Sequence, residues 1–447
     1  MEPNIPNTDR KRVVIVGAGF GGLKLARKLA RRKEFQVVLL NKYNYHEFQP
    51  LYYQVATAGL EANSILFPLR AIFGDCKNVH IRVTTVTGVR PTEKSIDTGL
   101  GPIAYDSLVI ATGADTNFFG QQNIIDKALP MKSVTEAIAL RNRMLQNFED
   151  ALAVQTEDER EGFMDVVVVG GGPTGVELCG TLAEMRKTVL PSDYPELDFM
   201  NMDIYLIESG GELLGPMSEQ SQTHSLEYLQ ELGVKVMLNT RVKDFDGRVV
   251  TMNDDSTLRT NNLIWAAGVK ANPVAGLPAE VIGRGNRITV NRYNQVQGFT
   301  DIFAIGDVAI MSEEPDYPDG HPQIAQPAIQ QGKLLAKNLI RWVEGKQPEE
   351  FTYRNLGTMA TIGRGLAVVD LPFIKFQGFL AWLTWLFVHL MSIVGVKNRL
   401  LIFINWMVNY LTYNNSLRLI IRPKIPTGDI SDMQRKIADQ VEVGKPA

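Results

Sequence analysis

Two glycine-rich loops carry the clearest chemical signal in the chain. They share the spacing G-x-G-x-x-G after a short apolar run: Gly17, Gly19 and Gly22 in the first loop, and Gly170, Gly172 and Gly175 in the second. In such a loop the first glycine permits a tight turn, the second admits a pyrophosphate, and the third lets the following helix pack closely on the strand. The phosphates then lie against free N–H groups at the positive end of the helix dipole. The sequence therefore predicts two dinucleotide-binding sites.

The polar residue that ends the second strand of each unit differs between the two. MDIYLIE ends in Glu208, whose carboxylate can accept hydrogen bonds from both ribose hydroxyls and repels a 2′-phosphate, which favours NADH over NADPH. A solvated acid at a strand end is the alternative. In the first unit QVVLLN ends in Asn41, which is uncharged where an acid is usual. We expect Asn41 and the loop residue Phe20 still to contact the first nucleotide, and the loop residues Pro173 and Thr174 to contact the second.

Glu177 is a candidate for acid–base chemistry, because it follows Gly175 by two residues in the first turns of the second helix. An acid at this position is stabilised by the helix dipole and needs no chemical role. The same position would also place a carboxylate beside the nicotinamide, where it relays a proton or positions a substrate. The residues alone leave both interpretations open.

The elements that must position these residues follow an α/β pattern. The runs VVIVG (13–17) and VVVVG (166–170) are wholly apolar, which is typical of strands buried on both faces of a parallel sheet. Each run precedes glycines and a helical pattern, and three similar strands are predicted within 101–113, 260–269 and 300–309. The alternation of strands and helices predicts an α/β fold with doubly wound sheets.

Composition excludes several classes of function. The chain has 447 residues, of which 45% are hydrophobic, and a net charge of −3, so nothing in it favours nucleic-acid binding. Its two cysteines, Cys76 and Cys179, form no CxxC pair, so neither a zinc ribbon nor a dithiol redox centre is indicated. We expect no metal site and a reducing compartment. The N-terminus lacks the apolar segment of a secretory signal.

The C-terminal region has a different character. Residues 376–396 contain no Asp, Glu, Lys or Arg, but Gly378 and Gly395 predict breaks in this run. Polar residues recur along the segment that follows, at Asn398, Asn405, Asn409, Thr412 and Ser416. We favour a monotopic helix pair that lies in one leaflet of a membrane. A transmembrane helix and a large hydrophobic dimer interface are the alternatives.

Further motifs carry a resemblance to a known family. Two dinucleotide folds in one chain are typical of pyridine nucleotide–flavin oxidoreductases, and TDIFAIGDVA resembles their second flavin motif, while ATGAD and WAAGV resemble their junction motifs. The cysteine pairs of disulfide and sulfide–quinone reductases are missing from the sequence. NYHEFQPLYYQVATA (44–58) and AQPAIQQG (325–332) instead resemble the type II NADH dehydrogenases, which are NADH:quinone oxidoreductases that pump no protons.

This resemblance implies FAD at the first loop, NADH at the second, and a quinone as the electron acceptor. Apart from the loops, the cofactor contacts that it implies are Gln54, Thr112, Gly113, Gly268, Gly306, Asp307 and Gln326. Gln326 and Gln330 share one helix face and would reach the flavin or the quinone. The resemblance also favours Glu177 as a proton relay, whereas His46 and Glu47 are weaker candidates.

The resemblance also implies an architecture and a location. The implied architecture consists of two Rossmann-like dinucleotide-binding domains and a C-terminal amphipathic helical membrane-anchoring module. We assign 11–120 and 286–345 to a discontinuous FAD-binding domain, 121–285 to an NADH-binding domain and 346–447 to the module, of which 373–420 contacts lipid. We expect a homodimer bound peripherally to the cytoplasmic side of the cell inner membrane. No chain of ionisable residues lies within the apolar segments, so we expect no proton pumping.

Two other functions remain open from the sequence. One is a soluble NADH-dependent reductase of ferredoxin or another electron carrier, against which the aromatic C-terminal region argues. The other is a non-catalytic flavoprotein that senses NADH and binds a protein partner. The sequence does not specify which quinone is used.

Overall fold

The structure is a computed structural model, and it describes residues 3–412 and 418–421. Ser416 and residues 422–447, which sequence analysis assigned to the C-terminal module, lie outside the described residues.

The helices and strands alternate along the chain in three stretches. The first stretch contains β1 (Lys11–Val16), α1 (Phe20–Leu29), β2 (Phe35–Asn41), β3 (Tyr45–Glu47), α2 (Tyr52–Ala56), β4 (Leu66–Pro68), α3 (Leu69–Ile72), β5 (Val79–Val83), β6 (Val86–Arg90), β7 (Ser95–Thr98), β8 (Ile103–Ala104), β9 (Ser107–Ile110) and β10 (Ala114–Thr116). The second contains α4 (Gln122–Ile125), β11 (Leu129–Pro130), α5 (Val134–Ala153), α6 (Glu157–Met164), β12 (Val166–Val169), α7 (Pro173–Thr188), α8 (Leu190–Asp193), β13 (Ile204–Ile207), α9 (Glu219–Glu231), β14 (Lys235–Met237), β15 (Val242–Phe245), β16 (Val249–Met252), β17 (Thr257–Arg259), β18 (Asn262–Trp265) and β19 (Val269–Ala271). The third contains β20 (Ile288–Thr289), β21 (Ile302–Ala304), β22 (Ala309–Ile310), α10 (Ala325–Val343), β23 (Thr358–Gly363), β24 (Leu366–Asp370), β25 (Lys375–Gln377), α11 (Phe379–Ser392) and α12 (Val396–Thr412).

Two five-stranded parallel sheets have the same strand arrangement. The first has the order β21-β9-β1-β2-β5, and the second has the order β11-β18-β12-β13-β14. The apolar runs that sequence analysis singled out form the central strands β1 and β12, and Val13–Val16 and Val166–Val169 are buried. Each central strand leads into its glycine loop and then into α1 or α7. The predicted fold class, with two Rossmann-like units, is therefore confirmed.

The chain leaves the first sheet after β9, builds the second, and returns to add β21 to the first. An antiparallel pair, β10 with β19, joins the outgoing and returning segments. Strands that pair in this way hold the two units side by side, with the glycine loops at the carboxyl ends of both sheets.

The C-terminal region combines an antiparallel sheet, β23-β24-β25, with the helices α11 and α12. The predicted breaks are confirmed, because Gly378 (φ 79°) and Gly395 (φ 85°) lie just before α11 and α12 and adopt the left-handed conformation that glycine favours. The run 376–396 is thus split between a strand, a 14-residue helix and a loop. Among the described residues, no helix has both the length and the apolar character needed to cross a bilayer.

The polar face of α12 lies against the protein. The Asn398 side chain donates to the Ser64 carbonyl oxygen at 3.2 Å, and Asn409 donates to that of Gly59 at 2.9 Å. The opposite face leaves apolar side chains exposed, including Leu400 (57%) and Leu411 (70%). On α11, Leu380 and Phe387 are exposed as well.

Candidate functional site

The two glycine loops have the same backbone geometry. Gly17 and Gly170 have φ values of +106° and +114°, which an L-residue side chain does not tolerate. A side chain at either position would overlap the backbone of the neighbouring strand end. By contrast, a Cβ atom at Gly19 or Gly172 meets no atom within 4 Å. Each loop therefore leaves a backbone cradle that is open at the helix N-terminus, where a pyrophosphate fits.

The third glycines hold helix and loop together. A Cβ atom at Gly22 would overlap the carbonyl oxygen of Gly17, and one at Gly175 would overlap that of Gly170. Only glycine permits this close approach, so the sequence motif and the observed geometry agree at both loops.

The strand-end residues Asn41 and Glu208 brace the loops in matching ways. The Asn41 Oδ1 accepts from the Ala18 amide at 2.9 Å, and the Glu208 Oε2 accepts from the Gly171 amide at 2.6 Å. Asn41 also donates through Nδ2 to the carbonyl oxygen of Tyr43 at 2.8 Å. A carboxylate, the usual group at this position, could not make that donation. The ribose contact of either residue stays a prediction.

The predicted junction motifs meet between the two units. Thr112 Oγ1 donates to the Asn272 carbonyl oxygen at 2.6 Å, and the Gly113 carbonyl oxygen accepts from the Asn272 amide at 3.1 Å. On the other unit, the Gly268 carbonyl oxygen accepts from the Asn117 amide at 3.3 Å. These bonds fix the crossing strands that separate the two nucleotide sites.

Asp307 lies at the turn after β21, with Gly306 beside it, and its side chain is partly buried. Burial raises the pKa of the Asp307 carboxyl group, which the nearby cations Lys132 and Arg287 oppose. The Lys132 Nζ lies 4.0 Å from Asp307 Oδ2. The Gly306 amide donates to Gln331 Oε1 at 2.7 Å, so α10 holds this turn in place.

Glu177 lies in a small cavity between the two units. The cavity has a volume of about 80 Å³ and is lined by Gln49, Pro50, Tyr52, Tyr53, Met131, Lys132, Thr174 and Glu177. The Glu177 side chain is 7% exposed, and burial raises its pKa to about 8, against the lowering effect of hydrogen bonds from Thr361 and Trp385. A carboxyl group with this pKa can hold or release a proton near neutral pH, as a general acid or base must.

Known proteins similar to this chain decide its family. Residues 11–332 match the family described as pyridine nucleotide-disulphide oxidoreductase, and residues 355–413 match the NDH2 C-terminal domain. The type II NADH:quinone oxidoreductase Ndh of Mycobacterium tuberculosis is 33% identical over 92% of this chain and 90% of its own length. The chain belongs to the type II NADH:quinone oxidoreductases. The sequence-based assignment is thus confirmed.

Other members of the family and solved structures agree. A type II NADH:quinone oxidoreductase of Staphylococcus aureus is 30% identical over 79% of this chain and 88% of its own length. The solved structure of NDH2 from Plasmodium falciparum in complex with NADH has a TM-score of 0.83, with 22% identity, and covers 92% of this chain and 100% of the other. At this identity the structural match shows that the fold is shared.

The two glutamines of the type II oxidoreductase motif bind backbone. Gln326 Nε2 donates to the Gly357 carbonyl oxygen at 2.8 Å, and Gln330 Nε2 donates to that of Arg354, also at 2.8 Å. Their Oε1 atoms accept from the amides of Leu356 and Arg354 at 3.1 and 3.0 Å. Both side chains thus tie the start of α10 to the segment that leads into β23, and their contact with flavin or quinone stays a prediction.

The weaker candidates His46 and Glu47, and the predicted cofactor contact Gln54, make hydrogen bonds within the protein. His46 is buried, and its Nδ1 pairs with the Ala18 carbonyl oxygen at 2.8 Å while burial lowers its pKa to about 4. Glu47 accepts from the Tyr52 hydroxyl and from the Val134 amide at the start of α5. Gln54 accepts from the Trp406 indole at 2.8 Å and donates to the Tyr53 hydroxyl at 2.9 Å.

Sequence analysis assigned no role to several residues around Glu177, among them Tyr53, Lys132, Thr361 and Trp385. Tyr53 and Lys132 line the cavity, and Thr361 and Trp385 donate hydrogen bonds to Glu177. Tyr53 lies inside the recognised motif at 44–58, but only its neighbour Gln54 was predicted there as a cofactor contact. The other three carry no local signal, because their roles depend on contacts between distant parts of the chain.

Proposed function

We propose that this chain oxidises NADH and reduces a membrane quinone through FAD held in the first cradle. The observation that carries the proposal is the buried Glu177 cavity, which lies between two matching nucleotide cradles and beside the apolar C-terminal helices. Family membership supports the same reaction.

The residues of the first unit fit FAD. The open space above Gly19 admits a pyrophosphate, and we propose that the turn of Gly306 and Asp307 holds the ribityl or phosphate end of the cofactor. When bound, FAD supplies a two-electron acceptor for hydride that can pass its electrons on to a quinone. The uncharged Asn41 side chain would contribute hydrogen bonds without charge assistance.

The residues of the second unit fit NADH. Gly172 leaves an equivalent space, and the Glu208 carboxylate accepts from the Gly171 and Gly210 amides at 2.6 and 2.7 Å, which holds it at the end of β13. A carboxylate there binds ribose hydroxyls and repels a 2′-phosphate. We therefore propose selectivity for NADH over NADPH.

Glu177 is proposed to hold the proton for the quinone step. Quinone reduction takes up two protons, and a carboxyl group with a pKa of about 8 is protonated at neutral pH and can donate. Tyr52 and Tyr53 in the cavity wall are buried and Glu177 itself is 7% exposed, so this carboxyl group has little contact with bulk water. Gln326 and Gln330 would act by fixing the backbone between α10 and β23.

The exposed apolar faces of α11 and α12 support peripheral attachment to a membrane. A further apolar group, Phe373, is 99% exposed in the turn between β24 and β25. Burial of such side chains in lipid is favourable by roughly 25 cal/mol per Å². We propose lipid contact within 373–420, as far as that range is described, on the cytoplasmic side of the inner membrane, and a homodimer as the assembly.

The two sheets support the proposed domains. Residues 11–120 and 286–345 contain every strand of the first sheet, and 121–285 contain every strand of the second. The module would begin at 346, ahead of β23, and its part beyond residue 421 lies outside the described residues.

Stopped-flow absorbance tests the function. NADH should bleach the flavin of the purified protein rapidly and NADPH slowly, and a short-chain quinone should restore the oxidised spectrum. Purification without any flavin, and no flavin binding on addition of FAD, would contradict the proposal. Bleaching by NADH without reoxidation by any quinone would instead favour an NADH sensor.

A further inference from the structure

Glu177 belongs to α7 of the second unit, but its carboxyl group is held by the C-terminal region. The Thr361 amide of β23 donates to Glu177 Oε1 at 3.4 Å, and the Trp385 indole N–H of α11 donates to the same atom at 3.2 Å. All three side chains are buried, and Trp385 is only 1% exposed. Among the described residues no hydrogen bond to Oε2 is present, so this oxygen is available to the cavity.

Close packing fixes this arrangement. Gly180 lies one turn after Glu177 on α7, and a Cβ atom there would overlap the carbonyl oxygen of Ile362 in β23. The indole of Trp385 stacks on the His389 ring, with centroids 4.0 Å apart, and meets the edge of the Tyr53 ring at 6.3 Å. The His389 and Tyr53 rings therefore pack against the indole while its N–H points to the carboxyl group.

From these contacts we infer that Trp385 is a positioning residue of the quinone half-reaction, because its N–H holds Glu177 Oε1 and so presents Oε2, with its proton, to the acceptor in the cavity. The inference rests on the proposed function. It assigns the apolar helix α11 a part in the chemistry in addition to lipid contact. Donation from the indole also favours the carboxylate form, which assists release of the proton.

Several other titratable groups lie around Glu177. The pKa of Tyr53 on α2 is raised well above its ordinary value by burial and by Glu177 itself. Burial lowers the pKa of His389 on α11 to about 4, so its ring is neutral. Lys132 faces the cavity next to Asp307, and Glu184 on α7 accepts from the Arg364 amide of the loop after β23.

The variant Trp385→Phe removes the indole N–H and keeps an aromatic ring. We expect the basic limb of quinone-dependent flavin reoxidation to move upward by about one pH unit, since a hydrogen bond to a charged group is lost. The infrared band of the protonated Glu177 carboxyl group, assigned by its loss in Glu177→Gln, should persist to correspondingly higher pH. Bleaching by NADH should be unchanged.

Trp382→Phe is the matched control, because Trp382 lies on the same helix and packs against Phe379 and Tyr410. This variant should leave both the pH profile and the infrared band unchanged. If Trp385→Phe does not fold, benzothienylalanine at position 385 replaces the N–H by sulfur with nearly the same shape, and the same shift is expected.

An unshifted profile and band in a folded variant that lacks the N–H would overturn the inference. An equal shift in Trp382→Phe would overturn it as well, because the effect would then be general to the helix. Failure of quinone to reoxidise the wild-type flavin would instead contradict the proposed function, so the two failures are distinguishable.

Discussion

The two nucleotide units share a loop but differ in the helix that follows it. Two residues after the third glycine, α1 has Lys24 and α7 has Glu177; three residues further on, α1 has Arg27 and α7 has Gly180. Arg27 is exposed on the outer face of α1, whereas Gly180 allows β23 to touch α7. The first unit thus retains a solvated helix face, and the second uses the same face to bring a carboxyl group into a buried site.

The largest effects should follow from filling the cradles. Gly19→Val and Gly172→Val both place a side chain where a Cβ meets no protein atom, so the ligand-free chain should fold while the pyrophosphate is excluded. Gly19→Val should purify without flavin. Gly172→Val should stay yellow but bleach with NADH about 100-fold more slowly. Absorbance spectra and stopped-flow traces check both, and the reverse pattern would exchange the two cofactor assignments.

The next effect concerns the helix faces. Gly180→Ala should force α7 away from the Ile362 carbonyl oxygen and destabilise the fold by about 3 kcal/mol. Arg27→Ala, at the matching position of α1, should have a negligible effect, because Arg27 is exposed. Thermal unfolding of both variants gives the measurement. Equal melting temperatures for the two would contradict the close contact of α7 with β23.

A smaller effect is expected at the strand ends. Glu208→Asn makes the second unit resemble the first, and the KM for NADH should rise about tenfold with the loss of charge-assisted hydrogen bonds. Asn41→Asp is the reciprocal change. It should weaken flavin retention, because a carboxylate cannot donate to the Tyr43 carbonyl oxygen. Tighter flavin binding in Asn41→Asp would show that the bracing role is unimportant.

The last effect is a pH dependence of stability, which is the smallest of these when taken over a single pH unit. Burial raises the Glu177 pKa from 4.5 to about 8, so over this range the folded chain binds a proton that the unfolded chain has released. Stability should fall as pH rises through this window, by at most about 1.4 kcal/mol per pH unit. Glu177→Gln should reduce that slope in a series of melting curves, whereas Lys24→Gln should not. An unchanged slope in Glu177→Gln would mean that this carboxyl group ionises normally.

Features with a local physical cause could be predicted from the sequence. The glycine loops follow from steric limits within a few residues, and the helix breaks at Gly378 and Gly395 follow from backbone preference. The bracing role of Asn41 could not be foreseen, because the carbonyl oxygen that it binds is placed by the fold of the loop.

The environment of Glu177 was beyond sequence reasoning for a different reason. Its donors lie 184 and 208 residues further along the chain, and neither a threonine amide nor an indole N–H leaves a pattern in the sequence. For Gln326 and Gln330 of α10 the motif was recognised, but the sequence did not reveal their partners. Their side-chain amides bind backbone carbonyl groups in the described structure.

The distance along the chain between Glu177 and Trp385 has a consequence for biosynthesis. The N-terminal part of a polypeptide leaves the ribosome first, and N-terminal domains generally fold before C-terminal ones. Both glycine loops emerge and can fold while Trp385 has yet to be translated. A nascent chain therefore acquires its nucleotide cradles first, and the carboxyl group receives its indole partner only after residue 385 has been translated.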